Sequence, residues 1–151
     1  NIRDGLISSD PANAAFYQQN AETYIQQLRQ VDQAMKAGLT PLPKKDFVSF
    51  HSAFGYFAKR YGLNQVATIE EFPGKEPSPQ YLAEVIATTK RLRSSAIFSE
   101  PQFSPKVVET IAHDLGLQVR VLDPVETGDP SRDSYISIMR KNLQTLEEAL
   151  R

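Results

Sequence analysis

The chain has 151 residues, of which 40% are hydrophobic and 23% are charged, and its formal net charge at pH 7 is −1. This length and balance indicate a globular protein with a real core, and the charge excludes a global field that would attract nucleic acid or an anionic membrane. Cysteine is absent, which excludes disulfides, thiolate metal sites and cysteine nucleophiles.

The first predicted element is a long helix from about Pro11 to Lys36. Asp10 and Pro11 form an N-cap and first-turn pair, and Gly38 is predicted to end the helix. Apolar residues recur between them in steps of three and four and form one stripe: Tyr17, Ala21, Tyr24, Leu28, Val31 and Met35. Such a helix would be about 39 Å long, which suits an element that bridges two lobes.

Short β-prone runs then alternate with helices. The predicted strands are 47–50, 65–69, 96–98 and 119–122, and the predicted helices are 53–61, 79 to about 93, 104–116 and 135–150. This alternation favours an α/β fold with a four-stranded, mostly parallel sheet flanked by helices. The predicted domains are a connecting helix with its linker over 1–43 and an α/β lobe over 44–151.

Three polar residues follow directly on predicted strands: His51, Glu100 and Asp123. Ligands of open α/β sheets bind at the carboxyl edge of the strands, where the loops that carry these residues are expected to lie. A neutral imidazole is a good zinc ligand, and a carboxylate can complete the metal shell. His51 with Asp123 is therefore the predicted metal pair.

Each candidate also has a structural explanation. His51 could equally cap a turn, and the Asp-Pro pair at Asp123 favours a turn when it is taken alone. For Glu100, orienting a ligand histidine or binding backbone amides is favoured over direct metal binding. His113, near the end of a helix, is explained by the helix dipole.

Enzymatic alternatives have little support in the sequence. Phosphate-binding and serine-hydrolase motifs are missing, and His51 acting as a general base with Asp123 would lack a nucleophile. A metal-dependent hydrolase, in which a metal-activated water would be the nucleophile, remains the less favoured alternative to a binding protein. A small signalling domain would carry an acidic pair after its first strand, where this chain has His51 and Ser52.

Five segments together resemble the zinc-binding solute-binding proteins of ABC importers. They follow the family's order and cover nearly the whole chain: 10–20 (D-P-x-N-x-x-x-Y-x-x-N), 50–57 (H-[DS]-A-[FY]-G-Y-F after a Phe), 98–103 (F-x-E-P-Q-F), 122–125 (L-D-P-[LV]) and 133–142 (D-S-Y-x-x-x-M-x-x-N). The chain resembles the C-terminal lobe of this family together with the helix that connects the two lobes.

The resemblance implies that a metal is held in the cleft between two lobes. The position of His51 supplies one ligand, a histidine in zinc-type members and a glutamate in many manganese-type ones, and the position of Asp123 supplies or approaches a fourth. The two other histidines belong to the N-terminal lobe. Imidazole at position 51 favours Zn²⁺, with Mn²⁺ as the alternative. We expect weak zinc binding by this chain alone, because it would hold at most half of a tetrahedral shell.

The resemblance also implies a carrier without enzymatic turnover. Its expected partners are the membrane permease of an ABC importer and the N-terminal lobe of the same protein, while nucleic acid is not expected. We expect a monomer in the periplasm or on the outer side of the cytoplasmic membrane as a lipoprotein. The start at Asn1, without a methionine or a leader, leads us to expect a piece of a larger protein or a mature product.

Overall fold

A computed structural model shows an α/β protein that divides into two compact units, Asn1–Ala34 and Met35–Arg151. The structure describes residues 1–70, 74–92, 96–102, 106–126, 128–129, 131 and 133–151. Within this part of the chain, no helix combines the length and the apolarity that a membrane crossing would require.

The first unit is helical. It contains α1 (Ile2–Ser9), a 3-10 turn (Pro11–Asn13) and most of α2 (Ala14–Leu39). The two helices are joined at Asp10, whose carboxylate Oδ2 accepts hydrogen bonds from the Asn13 amide at 2.8 Å and from the Tyr17 hydroxyl at 2.9 Å. The predicted helix start at Pro11 corresponds to the 3-10 turn, and α1 was not predicted.

The second unit contains a four-stranded sheet in the order β2-β1-β3-β4, and all its pairings are parallel. The strands are β1 (Asp46–Ser49), β2 (Asn64–Thr68), β3 (Ala96–Ser99) and β4 (Val119–Val121). After β1 come a 3-10 turn (Ser52–Phe54) and α3 (Gly55–Tyr61); the later helices are α4 (Pro79–Leu92), α5 (Lys106–Leu115) and α6 (Tyr135–Ala149). The predicted fold class is confirmed.

The ends of these helices have local causes. Gly62 ends α3 with a φ of +69°, a left-handed conformation that glycine adopts without steric cost. Ser134 caps α6, because its hydroxyl accepts the Ser137 backbone N–H at 3.1 Å. The predicted helix end near Arg93, the predicted helix start at Ser104 and Pro105, and the last residue of the 98–103 motif lie outside the described residues.

The predicted stop at Gly38 is wrong, because α2 continues to Leu39. Leu39 is completely buried, so the last turn of the helix belongs to the core of the second unit. A side chain at Gly38 would overlap Leu143 and Glu147 of α6. Here the glycine allows close packing between two helices and does not end one of them.

The core lies on both faces of the sheet. On one face, Val48 of β1 and Ile97 of β3 pack with side chains of α4 and α5, namely Val85, Val108, Ile111 and Ala112. On the other face, the rings of Phe47 and Phe98 meet edge to face with centroids 5.6 Å apart. Because side chains alternate along a strand, a sheet covered on both faces requires apolar residues at consecutive positions, as at 47–48 in β1 and 96–98 in β3.

Candidate metal site

The strand order places the ends of β1, β3 and β4 side by side. His51 lies two residues beyond β1, Glu100 directly follows β3, and Asp123 lies two residues beyond β4. Because β3 lies between β1 and β4, the loop that carries Glu100 lies between the other two loops. Adjacent strands are about 4.8 Å apart, so the three loops are close neighbours. All three predicted site residues therefore belong to the same carboxyl edge of the sheet.

His51 and Glu100 are in direct contact. Nδ1 of His51 lies against Oε2 of Glu100, and the His51 backbone N–H donates to Glu100 Oε1 at 3.1 Å. The Glu100 side chain is completely buried, whereas 22% of the His51 side chain is exposed. A single carboxylate thus holds both the backbone and the ring of His51, and the ring nitrogen Nε2 faces away from it.

The surroundings of Glu100 shift the pKa of its carboxyl group. Burial raises the pKa of the Glu100 carboxyl above its ordinary value of 4.5, and the backbone and ring N–H groups of His51 oppose this rise. The nearby carboxylate of Glu126 adds to the rise in pKa. A cation bound beside His51 would favour the ionised form of Glu100, because an opposite charge lowers the pKa of a carboxyl group.

Glu126 is a site residue that the sequence analysis missed. Its Oε1 lies 3.9 Å from Nε2 of His51, and 54% of its side chain is exposed. The Gln102 amide Nε2 lies 3.4 Å from Oε2 of Glu126 and 3.4 Å from Oε2 of Glu100, so it bridges the two carboxylates. The available signal was an acidic residue in the loop after β4, three positions beyond Asp123.

Asp123 is engaged within its own loop. Its Oδ1 accepts the Val125 backbone N–H at 2.7 Å, and its backbone N–H and C=O pair with the Asn142 side chain at 2.9 Å and 2.7 Å. Val125 has a φ of +65°, which is rare for a β-branched residue. This turn determines the direction in which the side chain of the next residue, Glu126, points.

The arrangement offers one nitrogen and one oxygen ligand to a metal ion. Imidazole nitrogen and carboxylate oxygen are both zinc ligands, and structural zinc sites are usually tetrahedral with four ligands. Among the residues that the structure describes, no group of three or more His, Asp or Glu side chains is arranged to hold a metal ion. His51 Nε2 and Glu126 Oε1 could therefore supply half of a zinc shell.

Comparisons with known proteins point to one family. Residues 1–149 match the family described as zinc-uptake complex component A, periplasmic (ZnuA). The zinc-binding protein AdcA of Streptococcus pyogenes serotype M3 is 38% identical in an alignment of 151 positions that covers 97% of this chain and 29% of that protein. The high-affinity zinc uptake system protein ZnuA of Bacillus subtilis is 34% identical in an alignment of 154 positions that covers 99% of this chain and 48% of that protein.

Solved structures agree with this match. The Zn(II)-bound ZnuA-like domain of Streptococcus pneumoniae AdcA is similar with a TM-score of 0.81 and 35% sequence identity, covering 99% of this chain and 57% of that one. The present chain thus spans between 29% and 48% of the length of the two curated relatives.

Proposed function

Because the chain belongs to the ZnuA family of periplasmic zinc-uptake components, we propose that it acts as the C-terminal lobe of a protein that binds zinc and delivers it to an ABC importer. The observation that carries this proposal is the approach of Glu126 Oε1 to His51 Nε2, 3.9 Å apart at the carboxyl edge of the sheet. A nitrogen and an oxygen ligand at this distance can share one metal ion.

In this proposal His51 and Glu126 bind the metal directly. Glu100 holds His51 Nδ1, so the metal-facing nitrogen is Nε2 and the ring has one orientation. Asp123 remains the alternative carboxylate ligand, but its Oδ1 already accepts a hydrogen bond at 2.7 Å from Val125. Imidazole at position 51 supports Zn²⁺ as the cargo, and Mn²⁺ is the alternative because carboxylates suit harder cations.

The remaining parts of the proposal follow from the relatives. Their names describe zinc binding and uptake, which supports binding and release outside the cytoplasmic membrane without enzymatic turnover. The proposed partners are the permease of an ABC importer and an N-terminal lobe that supplies the other metal ligands. In the proposed organisation, 1–43 is the connecting helix with its linker and 44–151 is the metal-binding lobe.

A zinc titration of this chain and three variants tests the ligand assignment. We expect weak binding by the unmodified chain, because about half of the shell is present. His51→Ala should abolish site-specific binding, and Glu126→Gln should weaken it by about tenfold or more. Asp123→Asn should change the affinity by less than about threefold, because an amide oxygen can still accept the Val125 N–H.

His113→Ala is the control for background binding, because this second histidine is 90% exposed. Nanomolar zinc binding by the unmodified chain would contradict the two-ligand arrangement. A larger loss in Asp123→Asn than in Glu126→Gln would assign the carboxylate ligand to Asp123. Tighter binding of Mn²⁺ than of Zn²⁺ in the same titration would contradict the proposed cargo.

A further inference from the structure

The backbone carbonyl of His51 is held by two side chains. The Ser49 hydroxyl donates to it at 2.8 Å, and the Gln65 amide Nε2 donates to it at 3.0 Å. The same Gln65 amide also donates to the Ser49 hydroxyl oxygen at 2.5 Å. Gln65 and Ser49 therefore form a small network around a single carbonyl group.

The two residues come from neighbouring strands. Ser49 is the last residue of β1 and is completely buried, whereas Gln65 lies on β2, at the edge of the sheet, and is half-buried. In the register of the sheet Gln65 pairs with Phe47, so its side chain extends along the sheet toward Ser49 and His51. Through this side chain, β2 contacts the loop after β1 that carries His51.

Both polar groups of the His51 backbone thus have side-chain partners. The N–H donates to Glu100 on one side, and the C=O accepts from Ser49 and Gln65 on the other. His51 lies beyond the end of β1 in an extended conformation with a φ of −128°. Side chains therefore hold its peptide groups at a point where the strand has already ended.

We propose that Gln65, together with Ser49, is a positioning residue for zinc binding: it fixes the backbone of His51, so that the ring held by Glu100 presents Nε2 in one direction. This inference rests on the proposed role of His51 as a metal ligand. A ligand must be held within about 0.5 Å of its productive position, and neither ring nor backbone contacts alone determine where Nε2 lies. Gln65 touches no metal in this arrangement and acts only through His51.

The effect of Gln65 should appear as a change in zinc affinity. Partners that orient a metal ligand change affinity by about 10–100-fold, and a backbone contact should lie at the lower end of this range. Gln65→Met keeps the length of the side chain and removes its donors, and we expect the dissociation constant for zinc at His51 to rise by about tenfold. Ser49→Ala loses only a hydroxyl, so it serves as the second variant, with an expected rise of about fivefold.

The experiment uses the whole chain with ¹⁵N-labelled histidine. Because the chain has two histidines, the imidazole resonances of His51 and His113 report zinc binding separately. Zinc is titrated into the unmodified chain, Gln65→Met, Ser49→Ala, the double variant and His51→Ala, and the urea midpoint of each is measured. The double variant should lose less than the product of the two single effects, because both side chains act on the same carbonyl.

The outcomes separate this inference from the proposed function. A weaker zinc response at His51 in both single variants, with an unchanged response at His113, supports the inference. A lower urea midpoint with an unchanged zinc affinity of the folded chain would show a merely structural role and overturn it. If His51→Ala loses zinc but the Gln65 and Ser49 variants do not, only the inference fails. If His51→Ala still binds zinc as before, the metal role of His51 fails and the inference falls with it.

Discussion

At the scale of single residues, the buried carboxyl of Glu100 is the group on which the candidate site depends. It accepts the His51 backbone N–H and lies against the ring nitrogen Nδ1, and its side chain has no exposed surface. Burial raises the pKa of this carboxyl, so in the folded chain the free-energy cost of burying its ionised form exceeds the stabilisation by these contacts. A cation bound at Nε2 would reduce this cost.

The pH dependence of stability tests this view of Glu100. The contribution of the Glu100 carboxyl to stability is fully present below its unfolded pKa of 4.5. This contribution is lost as the pH rises through the raised pKa of the folded chain. Because glutamine cannot ionise, we expect Glu100→Gln to gain stability relative to the unmodified chain as the pH rises from about 4 to 7. Urea unfolding of both proteins across this range, without metal, measures the difference.

Glu84 provides the matched control, because it is exposed on α4 and is solvated in both the folded and the unfolded chain. Glu84→Gln should show no such trend. A Glu100→Gln variant that loses stability relative to the unmodified chain as the pH rises would mean that the contacts with His51 outweigh burial. Such a result would also contradict the raised pKa.

Part of the candidate site could be predicted from the sequence. His51, Glu100 and Asp123 each follow a recognisable apolar run, and parallel topology alone assigns such positions to one edge. Glu126 could not be found in this way, because its approach to His51 depends on the turn at Val125 with its positive φ. Gln65 was missed for a related reason, since only the register of β2 against β1 brings its amide to the His51 carbonyl.

At the scale of elements, α6 fixes the loop that carries Glu126. Asn142 is buried in this helix, and its side-chain amide donates to the Asp123 carbonyl while its side-chain oxygen accepts the Asp123 N–H. One side chain therefore satisfies both backbone groups at the point where β4 passes into the loop. The position of the loop relative to the sheet depends on this pair of bonds.

Replacing Asn142 should therefore affect both stability and metal binding. Asn142→Ala leaves a backbone donor and acceptor without their partner, which should cost about 2–3 kcal/mol of unfolding free energy. The zinc affinity should fall as well, because the loop with Glu126 loses its anchor. Urea unfolding and zinc titration of the same variant measure the two effects.

Gln144→Ala, an exposed position two residues further along α6, is the control and should stay within about 0.5 kcal/mol of the unmodified chain. Equal stability of the Asn142→Ala and Gln144→Ala variants would contradict the anchoring role of Asn142.

The elements themselves were predicted unevenly. The four strands and the helices α2 to α6 were predicted from their apolar patterns, and a proline at the start of α4 and glycines after α3 and α5 supported three of these helices. The short helix α1 was not predicted, and it contains no buried residue, so the core imposes no apolar face on its sequence. Gly38 was misread because its tight packing against α6 is a tertiary fact that the local sequence does not contain.

At the scale of the whole molecule, the two compact units differ in how they bury apolar side chains. The second unit has a continuous core around Val48 and Ile97. The first unit exposes several large apolar side chains: Ile2 (84%), Leu6 (44%), Phe16 (61%), Tyr24 (46%) and Ile25 (40%). Four of these, all except Phe16, line one groove together with Tyr17 and Ala21. In the proposed two-lobe protein we expect the N-terminal lobe to cover this groove.

Amide hydrogen exchange measures this difference directly. Local opening of a segment with no buried side chain requires little free energy, so the amides of α1 should exchange far faster than those of β1 and β3, whose side chains are buried on both faces of the sheet. If the N-terminal lobe covers the groove, adding it to this chain should slow the exchange of α1 and leave β1 and β3 unchanged. Equal protection of α1 and β1 in this chain alone would contradict the expectation, because it would mean that the groove is already covered.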